Sequence, residues 1–500
     1  MFTRRALTYG LLCSVALLGL PAADAAGNGV AVHPNEPASA VIAAAGHVVP
    51  SPVQLRWQRR ELTAFIHYGP NTYTGLEIGT GTESPNIVAP HRLDTDQWVR
   101  VLKNAGFSEI MLVTKHHDGL VLWPTRYSHY SVKYSTWRDG KGDIVGDFVK
   151  SAHKYGMAVA FYLSPADIHE GLAGGTYANG SKPKPVTIPT LVPGDTRRPA
   201  RTFHFVEDDY NAYYMNTLYE LLTQYGPVDE FFFDGFNPLK DRKQHYAFDD
   251  WYKLVRALQP NAAMFGGPDV NWVGNEDGYA RETQWSVVPF TAPPVPTQAT
   301  HVLDPADPDA GNRASLVDPK TRLIQWYPSL CDARLEKTWF WHPDQPPKSL
   351  DDLEKMYYGS VGRNCVLILD VPPDQHGRFD DADVVRLGQF GAWLRAHLTH
   401  DLAAHVTSAP SSDGTVYDLH GAVRFQTIGL RENIAAGQRI EEFTVDADAP
   451  GGGWQQVAHG TTIGARRLLR LDAPATAHRL RLRILQSRAT PEPVRLALYL

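Results

Sequence analysis

Two carboxylates in this chain stand where hydrolytic chemistry is easily arranged. Asp234 closes the apolar run of GPVDEFFFDGFNP (226–238), directly after Phe231, Phe232 and Phe233, and Gly235 follows it without side-chain bulk. A carboxylate ending a buried strand is partly desolvated and open to tuning by nearby charge, which suits a nucleophile or a general acid. Glu276 lies in NWVGNEDGYARETQW, an aromatic and glycine-rich loop after the next β-like run. Hydrolysis of a glycosidic bond needs two carboxyl groups flanking it, about 5 to 5.5 Å apart in a retaining enzyme. Asp234 and Glu276 can supply them if a loop folds over the mouth of neighbouring strands. Glu282 in the same loop is the rival for the second position and Asp277 a weaker one, and spacing alone gives Glu276 only a modest preference.

A further constellation is KHHDG, Lys115 to Gly119. Imidazole and carboxylate are good zinc or iron ligands. Adjacent residues of a strand point to opposite faces, however, so His116 and His117 share one ion only where the strand has ended. No H-E-x-x-H or C-x-x-C pattern joins them. The preferred reading is neutral histidines bonding sugar hydroxyls, with no metal and no cofactor. A serine-hydrolase elbow, a phosphate loop and a dinucleotide fingerprint are all missing from the sequence.

The elements that must hold these residues alternate. TAFIHYG, EIMLVTKHHDG, MAVAFYLSP, DEFFFDG, AAMFGG and CVLILDVPP read as strands, and DTDQWVRVLKNAGF, IVGDFVKSAHKYG and YNAYYMNTLYELLTQYG between them as amphipathic helices, the first capped by Asp94. Nearly continuous apolar strands alternating with helices predict a parallel sheet buried on both faces, closed as a TIM-like (β/α)8 barrel over 53–397. His67, Lys115, His116, His117, Asp118, Asp167, Asp234 and Asp370 all fall at strand C-termini, the rim where barrels carry their sites. Short alternating runs from 398 to 500 predict a C-terminal β-sandwich, whose better reading is to brace the barrel. Two Pro-rich stretches, 174–194 and 290–312, read as long barrel loops that shape the cleft.

Composition sets the outer bounds. The net charge of -6 over 500 residues, with 43% hydrophobic and 20% charged residues, is that of an ordinary globular protein and suggests neither nucleic acid nor an anionic membrane as partner. Residues 1–26 read as a secretory signal, with Arg4 and Arg5 before an apolar run too short to span a bilayer, and 27–52 as a leader. The chain is therefore expected in the periplasm or outside the cell, by the general or the twin-arginine route. The remaining cysteines, Cys331 and Cys365, either form one bridge or stay as two buried thiols.

Many ordered motifs then converge on one family. FIHYGPNTYTGLEIGTG, KHHDGLVLWPTRYSHYSV, FYLSPAD, FFFDG, WVGNEDGYA, WFWHP and RNCVLILDVPPDQHG together resemble the α-L-fucosidases of glycoside hydrolase family 29, and most of all their α-1,3/1,4-selective branch. The resemblance implies an exo-acting retaining enzyme in which Asp234 is the nucleophile and Glu276 the acid/base. It implies that His67, Glu77, His116 and His117 hold terminal fucose, with Tyr162, Trp285 and Trp339 as further pocket residues. The implied partner is a fucosylated oligosaccharide or glycoconjugate. The chain departs from the family pattern at Ile78, Leu120, Ala166 and Asp370. Ile78 and Ala166 bear on affinity and linkage choice, and the alternative function is a catalytically silent fucose-binding protein on the same scaffold.

Overall fold

The structure, a computed structural model, describes residues 27–194, 198–235, 237–239, 241–292, 306–449 and 451–500. The expected signal at 1–26 and residues 293–305 of the second Pro-rich stretch lie outside the described residues.

Eight parallel strands form the barrel: β1 Leu62–Ile66, β2 Glu109–Lys115, β3 Ala158–Leu163, β4 Glu230–Phe232, β5 Ala263–Phe265, β6 Asn271–Trp272, β7 Ser329–Arg334 and β8 Val366–Asp370. Each pairs with its neighbour in sequence, β8 returns to β1, and an isolated parallel bridge from Phe265 to Val270 joins the remaining ends. Alternation explains why the strands read as continuous apolar runs. In β2, Met111 and Val113 enter the barrel interior with Phe65, Tyr162 and Phe232, whereas Ile110 and Leu112 face the surrounding helices. The register sets Phe232 beside both Tyr162 and Phe265, so three rings form one layer under the C-terminal mouth.

The predicted helices form at Thr95–Asn104, Ile144–Tyr155 and Asp209–Gln224. The Asp94 carboxylate accepts the Gln97 N–H at 2.9 Å and supplies the expected cap, while Trp98, Leu102 and Ala105 are wholly buried. Gly156 ends the second helix in the left-handed conformation that a C-terminal cap requires.

Several expectations are corrected. Strands β6 and β7 are absent from the runs read as strands in the sequence; β6 intervenes after β5, and Glu276 is two strands beyond Asp234 rather than one. The stretch 174–194 is not wholly loop, because Lys184–Ile188 pairs with Phe203–Glu207. Within 27–52, Gly29–Ala31 adds to an antiparallel sheet with Val287–Phe290 and Leu323–Trp326, and Ala38–Ala45 is helical. Of the two alternatives left open for the cysteines, the bridge is the one formed: Cys331, from β7, and Cys365, at the entry to β8, make a disulfide.

After the helix Asp381–Leu398, the C-terminal domain expected as a sandwich is built of six antiparallel strands in one hydrogen-bonded sheet. Its two longest strands, Gly414–Arg431 and Arg467–Ser487, pair along their length through register shifts, and Phe425, Ile428, Phe443, Leu480 and Leu498 fill the core. No helix among the described residues is long and apolar enough to cross a membrane.

Candidate active site

The side chains that meet at the barrel's C-terminal mouth come from the last few residues of the strands and from the loops that follow them. A cavity of about 630 Å³ opens at the C-terminal mouth, floored by Phe65, Phe232 and Phe265. Phe232 and Phe265 stack at 3.9 Å between ring centres, so the base is apolar and rigid.

Asp234 enters this cavity just beyond β4. Its Oδ2 accepts the Tyr162 hydroxyl at 2.9 Å and lies 3.5 Å from His117 Nε2. Its Oδ1 takes the Gly235 N–H at 2.6 Å. A Cβ at Gly235 would meet nothing within 4 Å, so that glycine is not needed to clear space for the carboxylate. Glu276 lines the same cavity from the loop after β6, with its side chain 48% exposed and Arg334 Nη1 3.9 Å from Oε2.

Three histidines form one wall. His67 follows β1 and shares a 2.8 Å hydrogen bond between Nδ1 and the buried Asp370. His117 Nδ1 shares one of 2.7 Å with Ser164 Oγ, and His116 stacks over Tyr162. Burial dominates their titration: it lowers His67 to about 3 and His117 to about 4, and holds His116 well below the usual imidazole range. Neutral imidazole carries both a donor and an acceptor, which is the pairing a sugar hydroxyl needs. Trp339 packs beside His67 with ring centres 5.1 Å apart, its backbone N–H donates to Glu77 Oε2 at 3.0 Å, and His342 Nε2 stands 3.4 Å from Glu77 Oε1.

All the residues named for the site except Trp285 therefore surround one cavity. Trp285 lies elsewhere. Its indole N–H donates to Asp309 at 2.7 Å and the Arg488 guanidinium covers its ring at 3.5 Å, because the chain after Glu282 turns towards the sandwich. Glu282, the rival acid, is tied to Arg363 at 2.6 Å and to Arg467. Ile78 lines the cavity, whereas Ala166 and Leu120 are buried away from it.

The KHHDG stretch splits by orientation. The Lys115 ammonium meets Asp167 at 2.9 Å inside a ring of tyrosines, and Asp118 turns back to accept the Leu120 N–H, burial pushing its carboxyl up to about 7. Gly119 makes that packing possible: at φ +98°, a Cβ there would sit 2.2 Å from Asp167 Oδ1. Among the described residues no three His, Cys, Asp or Glu side chains converge as a metal set.

Sequence reasoning passed over Asp332 and Arg334, which lie in the C-terminal half of the unrecognised β7, and Trp272 at the end of β6. Asp332 is buried in the cavity wall and accepts the Trp272 indole N–H at 2.8 Å, and burial pushes its carboxyl up to about 7. The signal for Trp272 was its place four residues before Glu276 in an aromatic loop.

An apolar floor, neutral histidines and two carboxylates on a barrel rim define a class, the barrel enzymes that act on polyhydroxylated ligands. Comparison narrows the class. The Alpha-L-fucosidase family profile matches residues 53–271. Alpha-L-fucosidase 1 of Arabidopsis thaliana is 33% identical over 90% of this chain and 87% of its own length. A Bacteroides ovatus structure assigned to the α-L-fucosidases superposes with a TM-score of 0.82 at 35% identity, covering 95% of this chain and 78% of that one. A Ruminococcus gnavus family 29 fucosidase in complex with fucose superposes with a TM-score of 0.70 at 27% identity, over 94% and 96%. The chain belongs to the α-L-fucosidases of glycoside hydrolase family 29.

Proposed function

We propose that this α-L-fucosidase is an exported, exo-acting, retaining enzyme that removes terminal fucose in α-1,3 or α-1,4 linkage from oligosaccharides or glycoconjugates. The observation that carries the reading is the placing of Asp234 and Glu276 in one cavity while Glu282 is bound in ion pairs elsewhere. In the first step an Asp234 oxygen bonds to the anomeric carbon as the glycosidic C–O bond breaks, and the Glu276 carboxyl gives its proton to the departing oxygen. In the second, Glu276 takes a proton from water, whose oxygen bonds to the anomeric carbon and releases Asp234. Tyr162 and His117 hold Asp234 Oδ2 and the Gly235 N–H holds Oδ1, so the carboxylate is fixed from both oxygens at the cavity wall. The linkage rests on the sequence resemblance to the α-1,3/1,4-selective branch. Export is supported by the signal-like residues 1–26 and by the Cys331–Cys365 disulfide, a bond favoured in oxidising compartments.

Turnover of an aryl α-L-fucoside tests the roles. Asp234→Ala abolishes it, and Glu276→Ala spares the activated aryl substrate more than natural ones, with azide partly restoring the rate. If Glu282→Ala shows that pattern and Glu276→Ala stays active, the acid/base assignment is wrong. Proton NMR of the first-formed sugar reads the stereochemistry: α-fucose is expected, and β-fucose rules out retention. Release from a panel of α-1,2, α-1,3, α-1,4 and α-1,6 fucosides tests the linkage, and binding without release from any substrate would identify a silent fucose-binding protein.

A further inference from the structure

Trp272 is out of place by the usual economics of burial. It ends β6 at the cavity mouth, yet its large aromatic side chain leaves the residue 42% exposed. The ring is held there, because its indole N–H donates at 2.8 Å to the carboxylate of Asp332, a buried residue of the next strand. A fixed, half-bare indole presents a flat apolar face to whatever occupies the mouth.

The cavity has a direction. His67, His116, His117 and Tyr162 form its buried part, Asp234 stands half-buried at their edge, and Glu276, Trp272 and Ile78 are the more exposed lining. A fucose with its anomeric carbon at Asp234 and its glycosidic oxygen at Glu276 must send the next sugar outward past this lining. Pyranose rings carry apolar C–H faces that stack on aromatic planes, whereas a small leaving group has no such face to offer. We infer that Trp272 is the platform for the sugar to which fucose is attached and that Asp332 is the positioning residue that holds the platform in place. The inference rests on the fucosidase reading of Asp234 and Glu276, and it makes the enzyme selective for glycan aglycones over other fucosides.

The test compares kcat/KM on a fucosylated oligosaccharide with kcat/KM on α-L-fucosyl fluoride, whose leaving group has no ring. Trp272→Ala lowers the first by about tenfold or more, the value of one good stacking contact, and changes the second by less than about threefold. Trp272→Phe keeps most of the oligosaccharide activity. Asp332→Asn, whose amide oxygen still accepts the indole N–H, is close to wild type on both substrates, and Asp332→Leu repeats the oligosaccharide-selective loss. The defucosylated product inhibits wild type more strongly than Trp272→Ala. Equal losses on both substrates, or no loss on the oligosaccharide, would overturn the platform. Wild-type protein that releases fucose from neither substrate would overturn the underlying reading instead.

Discussion

His117 shows how burial converts a common residue into a recognition group. Its ring lies between Ser164 and Asp234, and desolvation outweighs the attraction of that carboxylate, so the imidazole stays neutral to about pH 4. The folded value lies below the ordinary 6.5, and the unfolded chain therefore takes up the proton first. This residue's contribution to stability is accordingly full above pH 6.5 and is lost as pH falls from about 6.5 towards about 4. In NMR spectra the ring signals of His117 are expected to be flat from pH 8 to pH 5; a midpoint near 6.5 would mean that the pocket is open to water and the hydroxyl-binding argument fails. The residue types of this wall were legible because His67, His116, His117 and Asp234 all stand at strand ends. Lys115, Asp118 and Asp167 carry the same signature, and sequence has no means of telling a side chain that points into the mouth from one that points into the helical shell.

At the scale of elements, the closed end of the barrel holds a second group of acids. Glu109 opens β2 and Glu230 opens β4, both fully buried, with Arg60 3.3 Å from Glu109 and the Trp57 indole N–H donating to Glu230 at 2.8 Å. Burial pushes Glu109 up to about 7 and Glu230 well above the carboxylate range. Raised folded values make their contribution greatest below the unfolded value near 4.5 and diminish it as pH rises through neutrality. Glu230→Gln keeps an acceptor for Trp57 and cannot ionise, so its Tm relative to wild type should climb between pH 5 and pH 8; a constant difference would refute the assignment. The long, strongly apolar strands were readable in sequence for the physical reason that both their faces are buried. β6 has two residues and β7 mixes polar and apolar types in SLCDAR, so neither shows a period, and the side chains they carry, Trp272, Asp332 and Arg334, were missed with them.

The whole molecule explains the two residues that sequence drew towards the wrong place. Glu282 and Trp285 lie on the seam between barrel and sandwich, where Arg467 and Arg488 of the sandwich meet them. Gln438 adds to this seam by accepting the Ser286 N–H at 2.7 Å, so the chain that follows Glu276 is anchored by the second domain. These contacts join residues far apart in sequence, and neither spacing nor composition announces them. Another lies at Glu61, just before β1, whose two oxygens meet Arg431 at 2.5 Å and Arg466 at 2.6 Å. The Arg466 side chain is only 8% exposed, and Glu61 supplies the opposite charge that its burial requires, with the Tyr357 hydroxyl as a further partner. Deleting one member of a buried pair costs about 3–5 kcal/mol because the survivor is left unpaired, whereas replacing the charge by an apolar group of similar size costs much less. Glu61→Ala should therefore lower stability in denaturant melts by about that amount, and combining it with Arg466→Met should recover most of the loss. If Glu61→Ala costs under about 1 kcal/mol, the pair behaves as a solvated surface contact and the sandwich does not brace the barrel through it.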